Sequence, residues 1–204
     1  MTGYTPAQAA AVTGLTLAAV HRAIDRQLIR PRIARSGPTP RRLLTKDQMI
    51  FLQLEAEGLQ LLPLKTRREI AKLIRISPGT DRLAVRNGAA LCIEVKPARR
   101  KLENQLRRLA RLEQIVVSDP DIMSGAPVFK GSRIPVDLVA DMLAQGATVD
   151  EILAGYPALD REKIGMAPLY MRAFPRRGRP RHRPWQDKKA RGGRRFKLNQ
   201  LLAR

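Results

Sequence analysis

The stretch Ser118–Pro157, SDPDIMSGAPVFKGSRIPVDLVADMLAQGATVDEILAGYP, decides how the chain is read. Asp119-Pro120 and Gly125-Ala126-Pro127 are turn signals, because proline holds φ near −65° and glycine tolerates positive φ. Val128-Phe129 and Arg133-Ile134-Pro135-Val136 are short apolar runs around Lys130-Gly131-Ser132, which predicts a tight hairpin. Val136–Ala144 is apolar at helical spacing and Gly146 ends it. Thr148-Val149-Asp150-Glu151 has the spacing of a capping box and opens a second helix. Helix, glycine turn and capped helix together make a helix-turn-helix pattern.

The same residues resemble a known family. Gly125, Pro127, Gly131, Ser132, Arg133, Ile134 and Val136, then Gly146, Thr148, Glu151, Ile152 and Leu153, then Tyr156 and Pro157, follow the pattern of domain-of-unknown-function family 433. The resemblance covers residues 115–175. It implies an antitoxin similar to VapB antitoxins, encoded beside a PIN-like ribonuclease toxin. Gly165 and Pro168 depart from the pattern, in the region of the last helix. In a helix interior glycine costs about 1 kcal/mol and proline about 3. That helix is therefore expected to kink, or to begin near Pro168.

Charge divides the chain. The net charge is +21. Residues 1–79 carry 13 basic and 5 acidic groups, and residues 80–115 carry 9 and 4. Residues 116–171 reverse the sign with 4 and 8, and residues 172–204 restore it with 13 and 1. A balance of this kind implies a polyanionic or acidic partner. Gripping phosphate needs Lys and Arg. The acidic segment is therefore expected to contact protein rather than nucleic acid. Within it Arg133 is expected either to pair with Asp137 or Glu151, or to stand in solvent.

Residues 1–79 read as a second helical module. Thr5-Pro6 has the N-cap and N1 chemistry of a helix over 7–12. Thr13-Gly14-Leu15 is a turn. Thr16 caps a helix to Arg26 with Leu17, Val20 and Ile24 on one face. A loop rich in arginine follows, with Gly37, Pro38 and Pro40 bending its tip. This stretch resembles MerR-like winged helix-turn-helix domains, in which the second helix enters the major groove. The resemblance implies DNA contacts from Thr16, Ala18, Ala19, Arg22 and Arg26 on the helix, and from Arg32, Arg35, Arg41 and Arg42 on the wing. Thr45-x-x-Gln48 caps a third helix to about Leu59, and Thr66-x-x-Glu69 a fourth to about Arg75.

Residues 80–114 link the two modules. Leu83–Val95 predicts a hairpin turning at Asn87-Gly88. Ala98–Gln114 predicts a charged helix whose Leu102, Leu106, Leu109 and Leu112 either pack on their own domain or form a homodimer. The tail, 172–204, is too basic and too rich in Pro and Gly to bury a core, and is expected to be extended. Arg177-Gly178-Arg179-Pro180 matches an AT-hook core, which would lie in a narrow minor groove. The leading expectation, which could coexist with the AT-hook, is that a PIN-like toxin's carboxylate cluster takes the tail's guanidiniums bidentately. The toxin-contacting residues would then be Arg176, Arg177, Arg179, Arg181, Arg183, Trp185, Arg194, Arg195, Phe196, Leu198, Leu201 and Leu202.

No catalytic motif, metal-ligand spacing or cofactor fingerprint is legible, with two histidines far apart and a single cysteine, Cys92. The Asp119, Asp121, Asp137 and Asp141 carboxylates read as turn and helix-start residues rather than metal ligands. One cysteine and no long apolar run point to a reducing cytoplasm. The expected fold class is mainly α: two helix-turn-helix modules, the first winged and the second with a small β-hairpin, plus a basic extended tail. The expected function is an antitoxin that neutralises a PIN-like ribonuclease and binds operator DNA. The alternative is a stand-alone DNA-binding regulator.

Overall fold

The computed structural model describes residues 3–35, 40–87 and 89–175, without the side chains of Asn87 and Ala89. The described residues are mainly helical, with eight α-helices and three two-stranded antiparallel sheets.

Helix α1 spans Pro6–Thr13. Its start is set by Thr5, whose Oγ1 accepts the Gln8 N–H at 3.2 Å while Gln8 Oε1 accepts the Thr5 N–H at 2.8 Å. Gly14 ends it at φ 79°, a left-handed geometry that glycine adopts freely. Helix α2 spans Leu17–Asp25 and is capped by Thr16, which accepts the Ala19 N–H at 3.1 Å. Its inward face is Val20 and Ala23, continued by Leu28 and Ile29 beyond its end. Leu17 was expected on that face but is 42% exposed. It is the first helical residue, and helical side chains lean toward the N-terminus, so Leu17 overhangs the end rather than the core.

Strands β1 (Arg32–Ala34) and β2 (Arg41–Leu43) form the expected hairpin, pairing Arg32 with Leu43, Ile33 with Arg42 and Ala34 with Arg41. Its tip, 36–39, lies outside the described residues. The hairpin is pinned at its base. Tyr4 and Leu44 exchange both backbone hydrogen bonds, at 3.0 and 2.8 Å. This approach requires glycine at position 3, because a Cβ there would lie 2.8 Å from Leu43 Cβ. Gly3→Ala should push the leading segment off β2. Amide hydrogen exchange at Tyr4 and Leu44 should accelerate while α3 stays protected.

Helix α3 spans Lys46–Ala56, with the Thr45–Gln48 capping box in place. Seven consecutive residues, Met49–Glu55, are buried. A helix buried all round is surrounded rather than docked, and α3 is the centre of the larger core. It stops at Ala56, short of Leu59, because Gly58 turns at φ 113° into a single 3-10 turn over Leu59–Leu61. Helix α4 spans Leu64–Ile76. Pro63 occupies its N-cap, and its carbonyl accepts the Arg67 N–H at 3.1 Å. The capping box expected at Thr66 and Glu69 is therefore not formed: Thr66 is buried inside the first turn.

Strands β3 (Arg82–Asn87) and β4 (Ala89–Glu94) pair with Asn87 opposite Ala89. A two-residue Asn-Gly turn would instead set Arg86 opposite Ala89. Leu83 and Val85 are buried. Helix α5 spans Lys96–Ile115 and lays Leu102, Leu109 and Leu112 on α1, α3 and α8, with Leu106 partly buried beside them. The leucine stripe packs within the chain.

The second module opens with β5 (Val116–Val117) pairing with β6 (Val128–Phe129). Met123, Ser124 and Gly125 all take positive φ (51°, 54° and 77°) in the loop between them. The hairpin at Lys130–Ser132 closes through the Phe129 N–H to the Ile134 carbonyl at 3.1 Å and the Val136 N–H to the Pro127 carbonyl at 3.0 Å. Helix α6 is Val136–Ala144, and α7 is Val149–Gly155 behind the Thr148–Glu151 capping box. Their apolar faces close on Phe129, Val136, Val139 and Ile152. Arg133 is exposed, and Glu151 is engaged by Thr148 rather than by it.

Helix α8 runs Arg161–Ala173 from the Asp160 N-cap, continuous through Gly165 and Pro168, and does not begin near Pro168. Both breakers sit on its exposed side. Its buried residues serve two cores: Ile164 and Ala167 close the second module, while Met166, Leu169 and Ala173 join the larger core. Burial on two sides outweighs the propensity cost of about 4 kcal/mol for the two residues. In the larger core α8 packs on α5 and on α1, whose Ala9, Ala10 and Ala11 are small enough to permit close approach.

Candidate nucleic-acid interface

The exposed side of α2 carries Ala18, Arg22 and Arg26, with Ala19 half-buried at its margin. Thr16 is exposed, but its hydroxyl is engaged in capping α2. On the neighbouring hairpin Arg32, Arg35, Arg41 and Arg42 are all exposed. Cross-strand partners share a sheet face. Arg32 and Arg41 therefore lie on one side, and Arg42 on the other beside Ile33, which is 67% exposed.

The frame under these arginines is braced by hydrogen bonds. The Tyr4–Leu44 bridge fixes the hairpin base. Gln48 Nε2, from the first turn of α3, donates to the Arg30 carbonyl at 2.6 Å and fixes the segment between α2 and β1. Among the described residues, no ion pair holds Arg22, Arg26, Arg32, Arg35, Arg41 or Arg42. Some basic groups elsewhere are paired: Lys46 with Glu103 at 2.8 Å, Arg82 with Glu94 at 2.6 Å, Lys101 with Glu57 at 3.3 Å. Lys46 holds the Glu103 carboxyl below the usual carboxylate range by hydrogen bond and charge. Positive charge without an ion pair among the described residues thus lies on α2 and the hairpin, and also on α4 and at Arg107 and Arg108 of α5.

The structure adds residues that the sequence pattern did not single out. Lys65, Arg68, Lys72 and Arg75 are exposed on α4 at helical spacing. Arg68 Nη2 donates to the Arg26 carbonyl at 3.3 Å, so this ridge continues the basic side of α2. The spacing was visible in the sequence; the adjacency is tertiary. His21 is exposed on α2.

The residues assigned to toxin contact, Arg176 through Leu202, lie outside the described residues, as does Arg177–Pro180. Among the described residues, no cluster of His, Cys, Asp or Glu could hold a metal ion, and no helix is long and apolar enough to cross a membrane. Asp119 accepts the Asp121 N–H at 2.9 Å, the short-range bond of an Asx turn.

Residues 116–171 carry a domain of the family described as "Protein of unknown function (DUF433)". They coincide with the second module, from β5 through most of α8. The chain is also similar to uncharacterized protein y4eO of Sinorhizobium fredii (strain NBRC 101917 / NGR234), 44% identical over 91 residues, which are 45% of this chain and 41% of that protein. The chain thus spans about two fifths of the length of the curated relative it matches. A crystal structure of Rv2018 from Mycobacterium tuberculosis aligns over 82% of this chain and 98% of that one, at 17% identity and a TM-score of 0.29. That score is too low to carry a fold from one to the other.

Proposed function

We propose that α1, the turn at Gly14, α2 and the β1–β2 hairpin act as a winged helix-turn-helix, and that they bind operator DNA. The observation that carries this reading is the cluster of exposed, unpaired arginines on α2 and the hairpin. Arg22 and Arg26 would face the groove, with Ala18 and Ala19 against base edges. Arg32, Arg35, Arg41 and Arg42 would hold the phosphates. The α4 ridge, through Arg68, would extend the grip on the backbone.

The whole chain is proposed to be the antitoxin of a toxin–antitoxin pair, occurring as a homodimer or larger assembly with a PIN-like ribonuclease in the cytoplasm. Two things support this: the resemblance carried by Gly125–Pro157, and the composition of the tail, whose arginines complement an acidic nuclease site. In this scheme the chain is not an enzyme and needs no cofactor.

The test uses the full chain. Replacing Arg41 and Arg42 with Ala should weaken binding to every duplex and lower the salt slope by about 2, near one for each phosphate no longer neutralised. Substitutions at Ala18, Ala19 or Arg22 should shift base preference at about constant slope. Operator affinity unchanged by both sets would reject the DNA assignment. For the antitoxin role, the neighbouring gene product is co-expressed and co-purified, and the chain is then truncated after Phe174. Loss of ribonuclease inhibition with operator affinity retained supports the tail as inhibitor. Full inhibition with collapsed DNA affinity favours a stand-alone regulator whose tail grips DNA.

A further inference from the structure

A cleft of about 550 Å³ opens between α5 and α8, on a part of the molecule the proposed DNA surface does not use. Arg107, Arg108 and Arg111 line it from α5, and Arg161, Gly165 and Met166 from α8. On a helix, positions 107, 108 and 111 fall on one side, so three guanidiniums converge on the same opening.

The cleft already practises guanidinium–carboxylate pairing. Arg111 grips Glu162 through both Nε and Nη2, at 2.9 and 3.3 Å. Arg161 pairs with Asp150. Arg107 reaches only the neutral Asn104 amide, and among the described residues no ion pair holds Arg107 or Arg108. Two charges are therefore satisfied from within the chain, and two are left facing the cleft. Gly165 faces open space at its edge: a Cβ built there meets no heavy atom within 4 Å.

We propose that this cleft is a docking site for an acidic, extended segment of a partner protein, whose carboxylates pair with Arg107 and Arg108. Paired guanidinium and carboxylate groups are planar and fit each other bidentately. The surroundings favour discrete carboxylates over a nucleic acid. Glu162, Asp150 and Asp160 stand around the cleft, on a module with 8 acidic and 4 basic residues. A duplex carries a negative charge about every 1.7 Å and would lie across them. A peptide can place its charges at the two free arginines alone. This inference does not require the DNA or antitoxin reading.

The probe is an octa-glutamate peptide, titrated into the full-length chain. The readout is the NMR signal of each arginine Nε–H, which separates the cleft from the basic tail and hairpin. Saturable shifts are expected at Arg107, Arg108 and Arg111. Gly165→Leu fills the cleft without changing charge, and should weaken the apparent affinity at these signals roughly tenfold. Hairpin arginine signals should respond as in the parent chain. Arg107→Ala with Arg108→Ala should produce the same loss at Arg111, which keeps the test open if the leucine variant does not fold. Shifts that never saturate, or that persist at full strength in both variants, would overturn the proposal as diffuse charge attraction. Saturable, Gly165→Leu-sensitive shifts with a short duplex DNA but none with the peptide would overturn it in favour of nucleic acid.

Discussion

Replacing Arg67 with Met is expected to lower the unfolding free energy by about 3–5 kcal/mol, more than the loss of any exposed charge in the chain. Arg67 on α4 and Glu55 on α3 form a two-bond pair, Nε to Oε1 at 2.8 Å and Nη2 to Oε2 at 2.5 Å, with side chains 9% and 7% exposed. Both charges left water when the helices packed. Their attraction and bonds offset that loss only while both are present. Removing the guanidinium leaves a buried carboxylate without its partner. The companion variant, Arg67→Met with Glu55→Leu, should recover most of the stability, because paired apolar replacements no longer desolvate a charge. Urea unfolding of the two variants measures both effects. A single variant within about 1 kcal/mol of the parent would mean that water reaches Glu55 in solution.

Phe129→Ala is expected to cost about 3–5 kcal/mol, through forfeited transfer energy and the cavity left behind. Phe129 is fully buried at the centre of the second module, between β5 and the α6–α7 pair. The informative point is where the loss is felt. Helix α8 gives Ile164 and Ala167 to one core and Met166, Leu169 and Ala173 to the other, and Val116 and Tyr170 pack against both. A shared helix makes the two cores one cooperative unit. Hydrogen exchange should therefore quicken in α1 as well as in α6 after the substitution, and urea unfolding should stay a single transition. Loosening confined to 116–160, with α1 protection unchanged, would show instead that the second module opens by itself.

The boundaries of the elements were legible wherever a side chain acts on its own backbone. Thr5, Thr16, Thr45 and Thr148 each cap the helix that their spacing announces, because the hydroxyl reaches an amide three residues away whatever lies beyond. The β1–β2 hairpin and the α6–α7 pair follow for the same reason. The rule failed at Thr66. Pro63 offered an earlier start, and burial of Arg67 against α3 set the helix by packing rather than by capping. At α8 the start expected near Pro168 did not hold: the helix begins at Arg161 and continues through Gly165 and Pro168, because it packs on two cores.

The candidate site divides along the same line. That arginines crowd residues 22–42 and that 116–171 is acidic are facts of the sequence alone, since charge is carried by composition. Local caps and turns were likewise its own doing, because they act over three or four residues. Which arginines stand free was decided only by the tertiary structure. Arg67 is buried against Glu55, Arg111 and Arg161 are spent on carboxylates 51 and 11 residues away, and Arg22, Arg26, Arg41 and Arg42 are left without one among the described residues. The same holds for the α4 ridge beside α2 and for the cleft between α5 and α8. An ion pair needs two groups within about 4 Å, and no local rule brings together residues so far apart in the chain until the cores close.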